Sequence, residues 1–159
     1  MIFLGHGHFD HMADIVPVAK QTGAPVVAAP ITIETAIKMG LPPKQAITVK
    51  GGETLHFGDV SVDVALAHHS QPARGIQDAL GNLYKVELPP DTPEEAALSA
   101  AVRDRGTFSP DVADKGTLAF GLTFPNGFKV INLDSAGPIT DGDRKLAEKI
   151  GPVDVASIA

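Results

Sequence analysis

Cysteine is absent from the 159 residues. Disulfides and thiolate ligands are therefore excluded, and any metal site must be built from imidazole and carboxylate. A basic cluster is missing too. Thirteen Lys and Arg stand against nineteen Asp and Glu, for a net charge of −6, which argues against a nucleic-acid surface. No apolar run approaches the roughly 18 residues of a membrane span. No signal peptide precedes the first apolar residues, so a cytoplasmic location is expected. There is also no internal repeat and no domain boundary. A single domain over 1–159 is expected, long enough to bury a real core.

What is present begins at once. Gly5-His6-Gly7-His8-Phe9-Asp10-His11 follows the apolar run Ile2-Phe3-Leu4 and places three imidazoles and a carboxylate within six positions. A strand should lead in and a helix should lead out. In extended backbone His6 and His8 point to the same side. Asp10 stands where a helix N-cap is expected, with His11 opening the first turn. Such a corner lets three nitrogens and a carboxylate converge on one or two cations, and these donors suit borderline divalent ions such as Zn²⁺.

From Met12 to Thr22 the pattern predicts a helix kinked by Pro17 in its second turn and closed by Gly23. A buried strand over 24–28 and a helix from Pro30 to Met39 follow. The pattern then turns to strands: 46–49, 54–57 and the period-2 run 60–66, which leads into Ala67-His68-His69-Ser70. His56, in mid-strand, reads as a surface residue. Regularity fails over 71–115 apart from a helical stretch at 93–105. An insertion of this length is a lid or mobile segment over the site, or a disordered excursion. A hairpin (118–124 and 128–133) turns at Asn126-Gly127 and delivers Asp134-Ser135-Ala136-Gly137. A short helix over 143–150 and a strand over 153–158 complete the pattern. The fold class is α/β (mixed α+β), with two sheets and helices outside.

The segment from Gly5 to His11 resembles the signature of the metallo-β-lactamase fold superfamily, mostly metal-dependent hydrolases with an αββα sandwich. The resemblance implies that a His after a strand completes a first metal site and that an Asp after a later strand bridges two metals. His69 and Asp134 sit just past strand ends and match those positions. Strand alternation alone leaves His68 and His69 open. In the branch similar to the ascorbate-6-phosphate lactonases the ligand is the His directly before Ser, which selects His69 and leaves His68 as a supporting or packing residue. The implied sets are His6, His8 and His69 for one ion and Asp10, His11 and Asp134 for a second. Asp10 would also orient the attacking water. Zn²⁺ is the expected ion, with Mn²⁺ or Fe²⁺ as alternatives, and the absence of Cys removes lactamase subclasses that use it as a ligand.

The chain matches only the middle of the family pattern, so a partial sandwich, cut at both ends, is expected. Family members carry several strands before the His motif and a further His after the bridging Asp; here no histidine follows His69. The reading is a metal-dependent hydrolase of a small-molecule ester, lactone, amide or phosphodiester. Arg74, Arg105 and Lys115 are candidates for an anionic substrate group. The alternative is a non-catalytic or weakly metal-binding remnant or assembly subunit of the same fold. A diiron redox role is disfavoured because those relatives carry a Glu where this chain has His8. Uncovered sheet edges lead to the expectation of a homo-oligomer, a dimer in the simplest case.

Overall fold

A computed structural model of the chain describes residues 1–70, 92–94, 96–97, 116–135 and 137–158. The expected insertion over 71–115 lies outside the described residues apart from 92–94 and 96–97; its cations Arg74, Arg105 and Lys115 and most of the expected helix at 93–105 are among those outside.

Two sheets face each other. The first has three parallel strands in the order β1 (Ile2–Phe3), β2 (Val26–Ala28) and β3 (Ala46–Thr48). The second runs β4 (Thr54–Phe57), β5 (Val60–Leu66), β6 (Leu118–Thr123), β7 (Lys129–Leu133) and β8 (Val155–Ile158). It is antiparallel until β8, which lies parallel to β7. Three helices, α1 (Phe9–Met12), α2 (Ile15–Thr22) and α3 (Pro30–Lys38), cover the first sheet. A fourth, α4 (Asp141–Ile150), covers the second.

The period of 2 explains the layering. Val26 and Ala28 of β2 pack among Met12, Val16, Ala19, Ile33 and Ala36 of the helices. Val27, between them in sequence, packs on the opposite face with Val62, Val64, Leu118 and Phe120 of the second sheet. A strand buried on both faces is expected to read as a continuous apolar run, and β2 does. Phe3 joins this inter-sheet core, its ring centroid 5.3 Å from that of Phe120. On the far side of the second sheet, Ala65, Ala119 and Ile131 meet Leu146 of α4. The result is an αββα sandwich.

The first helical region departs from its expected form. Instead of one helix from Met12 with a proline kink, α1 ends at Met12 and α2 restarts at Ile15 after Asp14, whose φ is −111° and ψ 2°. Pro17 thereby becomes the third residue of α2. In a first turn its missing N–H has no intrahelical partner to lose, and the steric clash with the residue four back falls in the break. Asp10 is not the N-cap either. His8 holds that position, with φ −69° and ψ 155° and no side-chain cap, so Asp10 lies inside the first turn. Gly23 closes α2 in left-handed conformation at φ 72°, its N–H donating to Ala19 O at 2.9 Å.

At the other end, the Thr140 side chain accepts from Asp143 N–H while the Asp143 carboxylate accepts from Thr140 N–H, a capping box that starts α4 two residues before the expected Asp143. Lys149 of α4 reaches back to Asp63 of β5, Nζ to Oδ1 2.6 Å, and donates to Thr54 Oγ1 at 2.6 Å. Burial pushes the Asp63 carboxyl up, but hydrogen bonds from Lys149 and Thr54 and the Lys149 charge outweigh it and hold the group below its usual range. His56 is exposed, as its mid-strand position suggested. Among the described residues no helix is long and apolar enough to cross a membrane.

Candidate metal centre

Three chain segments meet where the sheets end. The β1 ladder continues through Leu4 N–H to Val27 O, and Gly5 O then accepts from Leu118 N–H at 2.8 Å, tying the His-rich corner to β6. Ala67 N–H donates to Thr117 O at 3.0 Å, fixing the exit from β5 beside it. The exit from β7 brings Asp134 in from a third side. Gly5 leaves the room it needs: a Cβ there would lie 2.0 Å from Asp134 Cβ and 2.1 Å from its Cγ.

His6 is the hub. It is 1% exposed. Its Nδ1 lies 2.6 Å from Asp134 Oδ2, so this nitrogen carries the proton and donates to the carboxylate. Nε2 is then a bare lone pair, 3.1 Å from His8 Nδ1 and 3.1 Å from His69 Nε2. His69 is fixed in the same way, because its Nδ1–H donates to Ser70 O at 2.7 Å. Two lone pairs, on His6 Nε2 and His69 Nε2, thus face each other at 3.1 Å, an arrangement that calls for a cation between them. A tetrahedral ion with Zn–N bonds of about 2.0–2.1 Å holds its nitrogens about 3.3 Å apart. The donor set fits.

A second group shares His6. His11 Nδ1 stands 3.4 Å from Asp134 Oδ1, and one donor atom from each of His6, His11 and Asp134 falls within a 4.8 Å neighbourhood. Asp10 belongs to neither group. Its side chain is 58% exposed, with Oδ2 3.7 Å from His11 Nε2, at the rim. The structure therefore brings together His6, His8, His11, His69 and Asp134 and leaves Asp10 outside them. His68 is exposed and lines a separate shallow cavity of about 210 Å³ with Leu133, Ile139 and Ile158.

Two features had no role assigned from the sequence. Ser70 and Ser135 bond to each other across the two loops, Ser70 N–H to Ser135 Oγ at 2.8 Å. Gly137 packs its backbone onto the His68–His69 peptide, where a Cβ would lie 2.0 Å from His68 O. The only sequence signal was adjacency, since each serine directly follows a donor residue.

Burial lowers the His8 pKa below 6.5, and the neighbouring charges of His6 and His69 push it the same way. The unfolded chain thus takes up a proton that the folded site resists. Stability should be full above 6.5 and fall as pH drops through it toward the lower folded value. In chelator-treated protein, the melting temperature should fall between pH 7.5 and 5.5, and less steeply in His8→Asn. Equal slopes for the two proteins would remove His8 as the cause.

No family model matches the chain. Among curated relatives, a UPF0173 metal-dependent hydrolase of Methylacidiphilum infernorum is 31% identical over 127 residues, 79% of this chain and 56% of that protein. One from Chloroflexus aurantiacus is 41% identical over 69 residues, 43% of this chain and 28% of that protein. Another, from Pyrobaculum calidifontis, is 36% identical over 105 residues, 65% and 44% of the two chains. The chain thus spans between about a quarter and just over half of these relatives' lengths. Among solved structures, a metallo-β-lactamase with a HARLDQ motif from Cronobacter sakazakii superposes with TM-score 0.50 at 15% identity, over 99% of this chain and 56% of that one.

Proposed function

Given that the chain has the metallo-β-lactamase fold, we propose that it is a metal-dependent hydrolase whose tight ion is held by His6, His8 and His69. The observation that carries this reading is the pair of lone-pair nitrogens, His6 Nε2 and His69 Nε2, facing each other at 3.1 Å with His8 Nδ1 beside them. The metal-dependent hydrolase names of the relatives support it. Zn²⁺ suits three neutral imidazoles, with Mn²⁺ or Fe²⁺ as alternatives. His11 and Asp134 form a second, weaker subsite, and the outward position of Asp10 favours occupancy of the first before the second.

When bound, a divalent ion supplies Lewis acidity and a water activated near neutral pH. The chain's own residues supply orientation. Asp134 sets the His6 tautomer and Ser70 sets that of His69, while Asp10, at the rim, would accept a hydrogen bond from the attacking water. The substrate is a small ester, lactone, amide or phosphodiester.

Turnover of a nitrophenyl ester, a lactone and a bis-aryl phosphodiester, measured before and after Zn²⁺ addition, tests this. Hydrolysis of at least one should require metal and disappear with chelator and in His8→Ala. Activity that survives both refutes the metal mechanism. Zinc bound with no turnover of any class favours the non-catalytic alternative.

We further propose a homodimer. Among the described residues β8 is the outer strand of its sheet and exposes Val155 at 45% and Ile158 at 64%, a pairing edge with apolar side chains. Light scattering at micromolar concentration should give twice the chain mass. A monomer that persists at that concentration would rule the dimer out.

A further inference from the structure

We propose that Ser135 is a positioning residue that orients His69 from the opposite loop, an inference that rests on the metal reading above. The links are all hydrogen bonds. Ser135 Oγ accepts from Ser70 N–H at 2.8 Å and donates to Ser70 Oγ at 3.1 Å. The carbonyl of the same Ser70 accepts from His69 Nδ1–H at 2.7 Å. Ser70 is thus gripped at its N–H and its hydroxyl while its carbonyl holds the imidazole. Sixty-five residues separate the serines, and each immediately follows a residue of the centre.

The consequence is a connection between the two subsites. Ser135 is bonded covalently to Asp134, whose carboxylate fixes His6 through Nδ1. The segment 134–135 therefore sets both rings whose Nε2 atoms face each other, His6 directly and His69 through Ser70. Gly137 supports the same contact, since its backbone sits where a Cβ would lie 3.0 Å from His69 C. Partners of this kind fix a ring's tautomer and orientation, and losing one costs metal affinity. Without Ser135 the Ser70 peptide is free to turn, its carbonyl leaves His69 Nδ1, and the ring reaches either tautomer.

Zinc affinity and imidazole nitrogen spectra of the full chain test this in Ser135→Ala, Ser135→Thr and Ser70→Ala. Ser135→Ala should weaken zinc binding about 10- to 100-fold, and Ser135→Thr, which keeps the oxygen, should restore it to within about threefold of wild type. Ser70→Ala keeps the N–H and the carbonyl and should lose less than Ser135→Ala. In metal-free protein His69 should show a single Nδ1–H tautomer, and Ser135→Ala should show both. Wild-type zinc affinity and unchanged ring signals in Ser135→Ala would overturn the proposal, as would a Ser70→Ala loss equal to that of Ser135→Ala. Should wild type bind no zinc, the hydrolase reading fails, while the metal-free ring signals still decide the role of Ser135.

Discussion

His6→Ala should lower zinc affinity about a thousand-fold, the largest loss of any single substitution in the chain. Structural zinc sites bind with roughly 10–16 kcal/mol shared among about four ligands, so one ligand accounts for about 2.5–4 kcal/mol, and the hub ligand belongs at the upper end, close to a thousand-fold. His6 also belongs to both groups, with Nε2 free to ligate and Nδ1–H donated to Asp134 of the second group. Its removal leaves the Asp134 carboxylate, 15% exposed, without its shortest hydrogen bond. Competition against a chromophoric chelator measures the affinity. His68→Ala is the control: the ring is exposed and outside both groups, and its affinity should stay within twofold of wild type. A His6→Ala protein within tenfold of wild type would show that the hub is elsewhere.

The second large effect comes from a residue with no side chain. In Gly5→Ala the new methyl would sit 2.0 Å from Asp134 Cβ, closer than non-bonded carbons approach, so one of the two must move. The backbone at Gly5 cannot retreat cheaply, because its carbonyl accepts from Leu118 N–H at 2.8 Å and joins the first sheet to β6. Overpacking of this kind costs about 1–3 kcal/mol, or roughly 2–12 °C of melting temperature in a chain of this size. If Asp134 is what moves, zinc affinity falls as well. Gly23→Ala provides the comparison. Nothing lies within 4 Å of its Cβ position, so only the left-handed backbone is strained, at a cost of about 1 kcal/mol. Melting curves should rank the two in that order, and equal shifts would mean that the Asp134 loop yields freely.

The strands and helices legible in the sequence are those where one local rule decides. Val60–Leu66 alternates, and the strand has those bounds. Gly23 can take positive φ, and α2 ends there. The errors arose where two local rules competed. Pro17 could kink a long helix or sit in the first turn of a short one, and packing of Met12 and Val16 onto β2 chose the second. Asp143 reads as a helix start, but Thr140 caps the helix from outside it.

At the site, ligand types and their spacing were visible because six of the seven residues from Gly5 to His11 are donors or glycines. Alternation could not choose between His68 and His69. β5 ends at Leu66, and which imidazole turns inward depends on how the chain leaves the strand, a tertiary matter set by Thr117, Ser135 and Gly137. The Ser70–Ser135 contact joins residues 65 apart, and no local pattern encodes it. Asp10 was placed among the ligands by the spacing of the His-rich segment and by the resemblance, and the helix start at Phe9 carries it to the rim.

The measurement that bears most directly on the metal centre is an anomalous difference map at the zinc edge, from crystals of the chain grown with one equivalent of Zn²⁺. One dominant peak is expected about 2.0–2.1 Å from His6 Nε2, His8 Nδ1 and His69 Nε2, with any second peak weaker and beside His11 and Asp134. A dominant peak on His68, or none within bonding distance of His6, would contradict this assignment.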